Sequence, residues 1–148
     1  MMKCIIATEQ KHFYDQVLVR KEVFIIEQNV PIEEEFDQHD REAVQFVVYD
    51  GDQAVGAGRF RIVDNKGKIE RICVLKSHRK RGIGRLLIET IETYAMTNTD
   101  IDTLILGAQL QAMPFYERLG FQADGDIFLD ANIEHRWMKK DIKKLISS

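Results

Sequence analysis

Two prolines, two cysteines and a single tryptophan are all that this 148-residue chain holds of those types, and each scarcity excludes something. With little proline and nine glycines, collagen-like and low-complexity classes are excluded; 45% hydrophobic and 30% charged residues exclude a disordered chain as well. Cys4 and Cys73 each lie in an apolar, strand-like run. They read as small buried hydrophobes of a reducing compartment rather than a disulfide framework, which makes the cytoplasm the expected location. No apolar run approaches a membrane span, and Met1–Glu9 becomes charged before a signal-peptide core could form, so no membrane association is expected. Positive charge is not in excess either. Twenty-one Lys and Arg face 24 Asp and Glu, net −3, against the positive field that a dedicated nucleic-acid binder needs. His12, His39, His78 and His135 show no paired ligand spacing, so no metal site is expected.

What is present reads as one α/β domain over residues 1–148. Lys3–Ala7 is a candidate strand, and Thr8-Glu9-Gln10 starts a helix running to Ile26, with Phe13, Val17, Val23 and Phe24 as its apolar face. The acidic run from Glu33 to Glu42 reads as a solvated connection. Ala43–Tyr49, Ala54–Val63 and Lys68–Val74 form a three-stranded meander, its first turn marked by Asp50-Gly51. From Ile83 to about Thr97, the positions Leu86, Leu87, Ile91, Tyr94 and Ala95 mark one face of a helix. Thr103–Gly107 is a fully apolar strand, Phe115–Leu119 a short helix closed by Gly120, and a last strand pair flanks a loop at Phe128–Glu134. The order β α β β β α β α β β implies one mixed sheet.

Chemistry concentrates at Val74-Leu75-Lys76-Ser77-His78-Arg79-Lys80-Arg81-Gly82-Ile83-Gly84-Arg85, between a strand and the strongest helix. Unpaired N–H groups at a helix start carry partial positive charge, and glycines admit a phosphate close to the backbone, so this is an anion site by construction. No Gly-Lys-Ser/Thr follows at Walker spacing, and the third glycine of a dinucleotide fingerprint is replaced by Leu87. What remains is Arg-x-x-Gly-x-Gly after a strand ending Ile-Cys-Val. It resembles the coenzyme A pyrophosphate loop of the GNAT superfamily of N-acetyltransferases. The later segment Phe115-Tyr116-Glu117-Arg118-Leu119-Gly120-Phe121 resembles that superfamily's Phe-Tyr-x-x-x-Gly-Phe in order and spacing. Val19–Phe24 with Glu27–Pro31, and Phe128–Asp130 with Ile133–His135, are similar to the small bacterial YjcF-like branch.

The resemblance implies a single-domain, mixed and mostly antiparallel sheet flanked by helices, whose splayed central strands hold the thioester of acetyl-CoA as co-substrate. It implies that Ile72, Cys73 and Val74 offer strand backbone to the acetyl and pantetheine part. Arg79, Lys80, Arg81, Gly82, Ile83, Gly84 and Arg85 would hold the pyrophosphate, with Gln109 a further cofactor contact. Tyr116 matches the family's tyrosine, the proton donor to the departing thiolate. Glu70 alternates with Ile72 and Val74, so its carboxylate is a candidate base, alongside the superfamily's use of water for that purpose. Glu27, Asp37 and His135 match the branch pattern and imply an acceptor pocket. Cys73 is not expected to be a nucleophile. The expected activity is direct acetyl transfer to a primary amine, with the acidic run favouring a small cationic one. The alternatives are a non-catalytic acyl-CoA-binding regulatory module and, against the net acidity, an RNA binder using Lys76–Arg85 and the Lys139–Lys144 tail. The partner is a small-molecule amine, and a homodimer is compatible with this reading.

Overall fold

The structure, a computed structural model, describes residues 1–142. Its seven strands, β1 (Met2–Ile6), β2 (Val44–Asp50), β3 (Gln53–Val63), β4 (Lys66–Val74), β5 (Thr103–Gln109), β6 (Gln122–Asp130) and β7 (Ile133–Asp141), form one sheet in the order β1-β2-β3-β4-β5-β7-β6. Every neighbouring pair is antiparallel except β4 and β5. The helices are α1 (Gln10–Arg20), which continues as a π-helical segment Lys21–Glu27, α2 (Ile32–Glu35), α3 (Ile83–Asn98) and α4 (Met113–Arg118).

The core lies between the sheet and α3, whose Ile83, Leu87, Ile88, Ile91 and Ala95 recur at helical spacing and are buried against Phe46, Val48, Phe60, Ile69, Leu104 and Leu106. A smaller cluster, Val19 and Val23 with Ala57 and Cys73, joins α1 and its π extension to β3 and β4. The expected apolar face of the first helix is corrected here. Phe13 and Val17 are 43% and 37% exposed, and the inward face runs through Gln16, Val19, Arg20 and Val23. Buried polar residues occupy that face because they meet polar partners, so hydrophobic periodicity points the wrong way.

The acidic run is also corrected. Glu33 and Glu34 are exposed, yet Glu35 is buried, and Gln38–Arg41 forms a 3-10 turn capped by Asp37. Arg20 donates to Glu35 and Asp40 at 2.8 and 2.6 Å, and Arg59 to Asp37 and Asp40 at 2.9 Å each. Half of this acidic stretch is therefore counter-charge for two arginines only 1% exposed. The expected loop at Phe128–Glu134 shrinks to Ala131-Asn132, both with positive φ, a two-residue hairpin turn without the glycine that would have signalled it.

The feature that makes the site lies in β4. Arg59 pairs with Glu70 and Ala57 with Cys73, so Arg71 and Ile72 together stand opposite Gly58. Arg71 has φ +59°, and this β-bulge bends the strand. Pairing of β4 with β5 covers only Gly67, Lys68 and Ile69 against Leu104, Ile105 and Leu106, and then stops.

Candidate active site

Beyond Ile69 and Leu106 the two strands diverge and leave a cleft of about 470 Å³ between them. Its walls are Ile69–Ile72 of β4, Leu106, Gly107 and Gln109 of β5, Val23 and Phe24 of the π segment, Tyr116 of α4, and Phe128, His135 and Trp137 of the last hairpin. Among the described residues the β4 edge from Arg71 to Val74 that faces β5 has no strand partner, which leaves backbone groups for a ligand to pair with.

At the far end of β4, Leu75 leads through a 3-10 turn (Lys76–His78) to α3. His78 is wedged between Ser77 and Asp50, 2.7 and 2.9 Å from its two ring nitrogens, which pins the loop to the β2–β3 hairpin. Gly82 stands at φ +81° with no atom of a non-neighbouring described residue within 4 Å of where a Cβ would be, and Lys80 at φ +64°. The first helical bond runs from Leu86 N–H to the Gly82 carbonyl, so the N–H groups of Ile83, Gly84 and Arg85 lie in the unpaired first turn, beside exposed Lys80 and Arg81. The side chain of Ile83 is buried, and Gly84 packs by the Phe115 ring. An open left-handed turn and a bare helix start fit a pyrophosphate.

Tyr116 is 8% exposed and packs edge-on between Phe115 and Phe121, with ring centroids 5.0 and 5.9 Å away. Burial pushes its phenol well above the ordinary range, so it remains protonated at any working pH. Among the described residues no group hydrogen-bonds its hydroxyl. Glu70 is held by Arg59 at 2.9 Å, Arg61 at 2.7 Å and Lys68 at 3.1 Å. Although burial acts upward on it, these cations bring its carboxyl down to about 2. Such a carboxylate has little affinity for a proton near neutrality.

A family model described as an acetyltransferase (GNAT) domain matches residues 8–142. The chain belongs to the GNAT acetyltransferase family. Its YjcF-like branch is shown by 48% identity over 141 residues to the Bacillus subtilis (strain 168) protein named as an uncharacterized N-acetyltransferase, YjcF, covering 95% of this chain and all of that one. YyaT of the same organism, 36% identical over 143 residues, covers 95% of this chain and 96% of its own. Among solved structures, Escherichia coli ElaA superposes with TM-score 0.82 at 22% identity over 95% of this chain and all of its own, which shows the fold. An acyl-CoA N-acyltransferase from Pseudomonas aeruginosa does so at 0.79 and 22%, over 95% and 98%.

The GNAT domain distributes the remaining sequence-derived residues unevenly. Arg79 donates through Nε to the Val74 carbonyl at 3.0 Å and through Nη1 to Glu27 at 2.7 Å. It thus staples the glycine loop to the end of the π segment, and Glu27 lies outside the cleft. Asp37 belongs to the arginine network. Cys73 is buried, and desolvation pushes its thiol above the ordinary range, where it is a poor nucleophile. Gln109 lines the cleft and donates to Gln28 at 3.0 Å, while Gln111 donates to Gln109 at 2.6 Å, a chain of amides from β5 to the π segment. Of the three residues expected in an acceptor pocket, only His135 lines the cleft. Reasoning from sequence passed over Gln28, Lys68, Arg71 and Trp137 as site residues. Trp137, two residues after His135 on a strand, had a signal in the period of two; Arg71 had none, because its place depends on the bulge. Among the described residues no group of potential ligands for a metal ion is found. No described helix is long and apolar enough to cross a membrane.

Proposed function

We propose that this GNAT domain transfers an acetyl group from acetyl-CoA to the primary amine of a small cationic acceptor by direct attack in the β4–β5 cleft. The observation that carries the reading is the pairing of two features on one strand: the unpartnered edge after the Arg71 bulge and, at that strand's end, the bare N-terminus of α3 with Gly82 in an open left-handed turn. Lys80, Arg81 and the N–H groups of Ile83–Arg85 hold the pyrophosphate, and the free β4 edge at Ile72–Val74 holds the acyl arm. Bound there, acetyl-CoA supplies an activated thioester carbonyl. A strand N–H polarises that carbonyl, and Tyr116, kept protonated by burial, donates to the departing sulfur. Arg79 acts by positioning the loop, through the Val74 carbonyl and Glu27.

Charge at the acceptor mouth supports a cation. Glu35 and Glu70 are spent on arginines, but Glu34 and Asp130 also line the cleft, and among the described residues neither carboxylate has an ion pair. Unpaired carboxylates attract an ammonium group on an acceptor. The test is thiol release from acetyl-CoA over a panel of polyamines, amino acids, amino sugars and peptide N-termini. Release with cationic amines is expected. Tight acetyl-CoA binding without release on any amine would establish the regulatory acyl-CoA module instead.

A further inference from the structure

Resting on that reading, we infer that His135 is the catalytic base, its Nε2 taking the proton from the attacking amine. Nδ1 lies 2.7 Å from the carbonyl oxygen of Ile133, and a carbonyl only accepts. Nδ1 therefore carries the hydrogen, and in the neutral ring the lone pair is on Nε2. That nitrogen has no partner among the described residues. Since among the described residues no buried side-chain nitrogen or oxygen lacks a partner, Nε2 retains solvent-accessible surface, and the residue it belongs to lines the cleft.

The ring is held in place on two sides. It stacks on Phe128, centroids 5.5 Å apart and planes 27° apart, and Phe128 stacks in turn on Trp137 at 4.6 Å and 20°. Gly107 makes this slab possible: a Cβ there would stand 2.7 Å from the Phe128 Cζ. His135 pairs in register with Gln109, so it lies on the strand next to the one that forms the cleft wall. The slab also offers a flat apolar surface for the body of the acceptor.

Other cleft groups are less suited to the task. From β4 come Lys68, Glu70 and Arg71, bound into ion pairs; from α2 come Glu35, held by Arg20, and Glu34; from β6 comes Asp130; β5 and α4 contribute Gln109 and Tyr116. Imidazole is the side chain that ordinarily titrates nearest neutrality, the best match for a base at working pH. In the step, the C–N bond forms and the C–S bond breaks. The amine's proton goes to Nε2, the sulfur takes a proton from Tyr116, and the imidazolium returns its proton to the phenolate through solvent, so the protein ends as it began.

Two substitutions separate this role from a structural one. His135→Asn keeps a donor where Nδ1 was, and His135→Gln keeps a polar atom where Nε2 was; neither is basic. With the best acceptor of the panel, both are expected to lose roughly 10²- to 10⁴-fold in kcat/KM near neutrality, with the acetyl-CoA thermal shift retained. The deficit should narrow as pH rises toward the amine's own ionisation. In the wild-type protein, ¹⁵N NMR of the imidazole should show the Nδ1–H tautomer. Wild-type-like kcat/KM in both variants, a loss equal at every pH, or an Nε2–H tautomer would each overturn the assignment while leaving acetyl transfer intact. Absence of wild-type thiol release with every amine would overturn the proposed function, and the base with it.

Discussion

Arg59 shows how a single side chain organises this protein. It is 1% exposed and donates to Asp37, Asp40 and Glu70, which come from the α2–β2 connection and from β4. Glu70 is therefore counter-charge before it is anything else. Glu70→Gln is expected to lower the unfolding free energy by about 2 to 3 kcal/mol, the range for a lost charge-assisted contact, read from denaturant titration. The acidic limb of the pH–rate profile should stay where it is in that variant; its disappearance would restore Glu70 as the base. Tyr116 has the opposite character, a buried phenol with no protein partner among the described residues. Tyr116→Phe should keep acetyl-CoA affinity and lose roughly 10² to 10⁴ in turnover in single-turnover kinetics. Full turnover would reduce Tyr116 to a packing residue between Phe115 and Phe121.

At the scale of elements, the proposed cofactor site is made by endings. β4 loses its neighbour after Ile69, α3 begins without a side-chain cap, and the loop between them is pinned at His78 and Arg79. Acetyl-CoA should raise the melting temperature, since a ligand at about 100 times its Kd stabilises by roughly 2.7 kcal/mol and each kcal/mol is worth about 2 to 4 °C at this size. Gly82→Val should abolish that shift, because a β-branched residue at φ +81° distorts the turn that presents the helix start. An undiminished shift in the variant would remove this loop from the binding site. The π segment contributes another wall of the cleft. Gln28 N–H reaches back to the Val23 carbonyl, a five-residue step, and both Val23 and Phe24 then line the cleft.

For the whole molecule, the arginine–carboxylate network ties the first helix, the acidic segment and the bulged strand into one body. Asp40 and Glu70 are both brought to about 2 by their guanidinium partners. A carboxyl whose pKa is lower when folded stabilises above its unfolded value, near 4, and loses that contribution as pH falls toward the folded one. Glu35, raised by burial, works in the other direction, but it is a single group against these two and against Asp37, also lowered. The melting temperature should accordingly fall steeply between about pH 4.5 and pH 2, and Arg59→Met should be destabilised by about 3 to 5 kcal/mol at neutral pH by stranding its partners. A flat profile across that interval would overturn the lowered folded-state values of Asp40 and Glu70 as a source of stability.

Short-range rules sufficed for much of this. The hairpin at Asp50-Gly51, helix α3, the glycine loop before it and Phe115–Phe121 are legible in sequence because turn chemistry, helical spacing and backbone freedom act between residues near in the chain. Those motifs together carry the resemblance to the family, and the family match over residues 8–142 shows it. Only the tertiary structure decided that Arg20 and Arg59 are buried, that Glu35, Asp37 and Asp40 answer them, and that Arg79 meets Glu27 rather than standing free. It also decided that Arg71 occupies a bulge and that His135 faces the cleft with one nitrogen committed. The physical reason is common to all of these. A charge is tolerated inside only when partners distant in sequence arrive at hydrogen-bonding distance, and such pairing is a property of the folded arrangement that local periodicity does not encode.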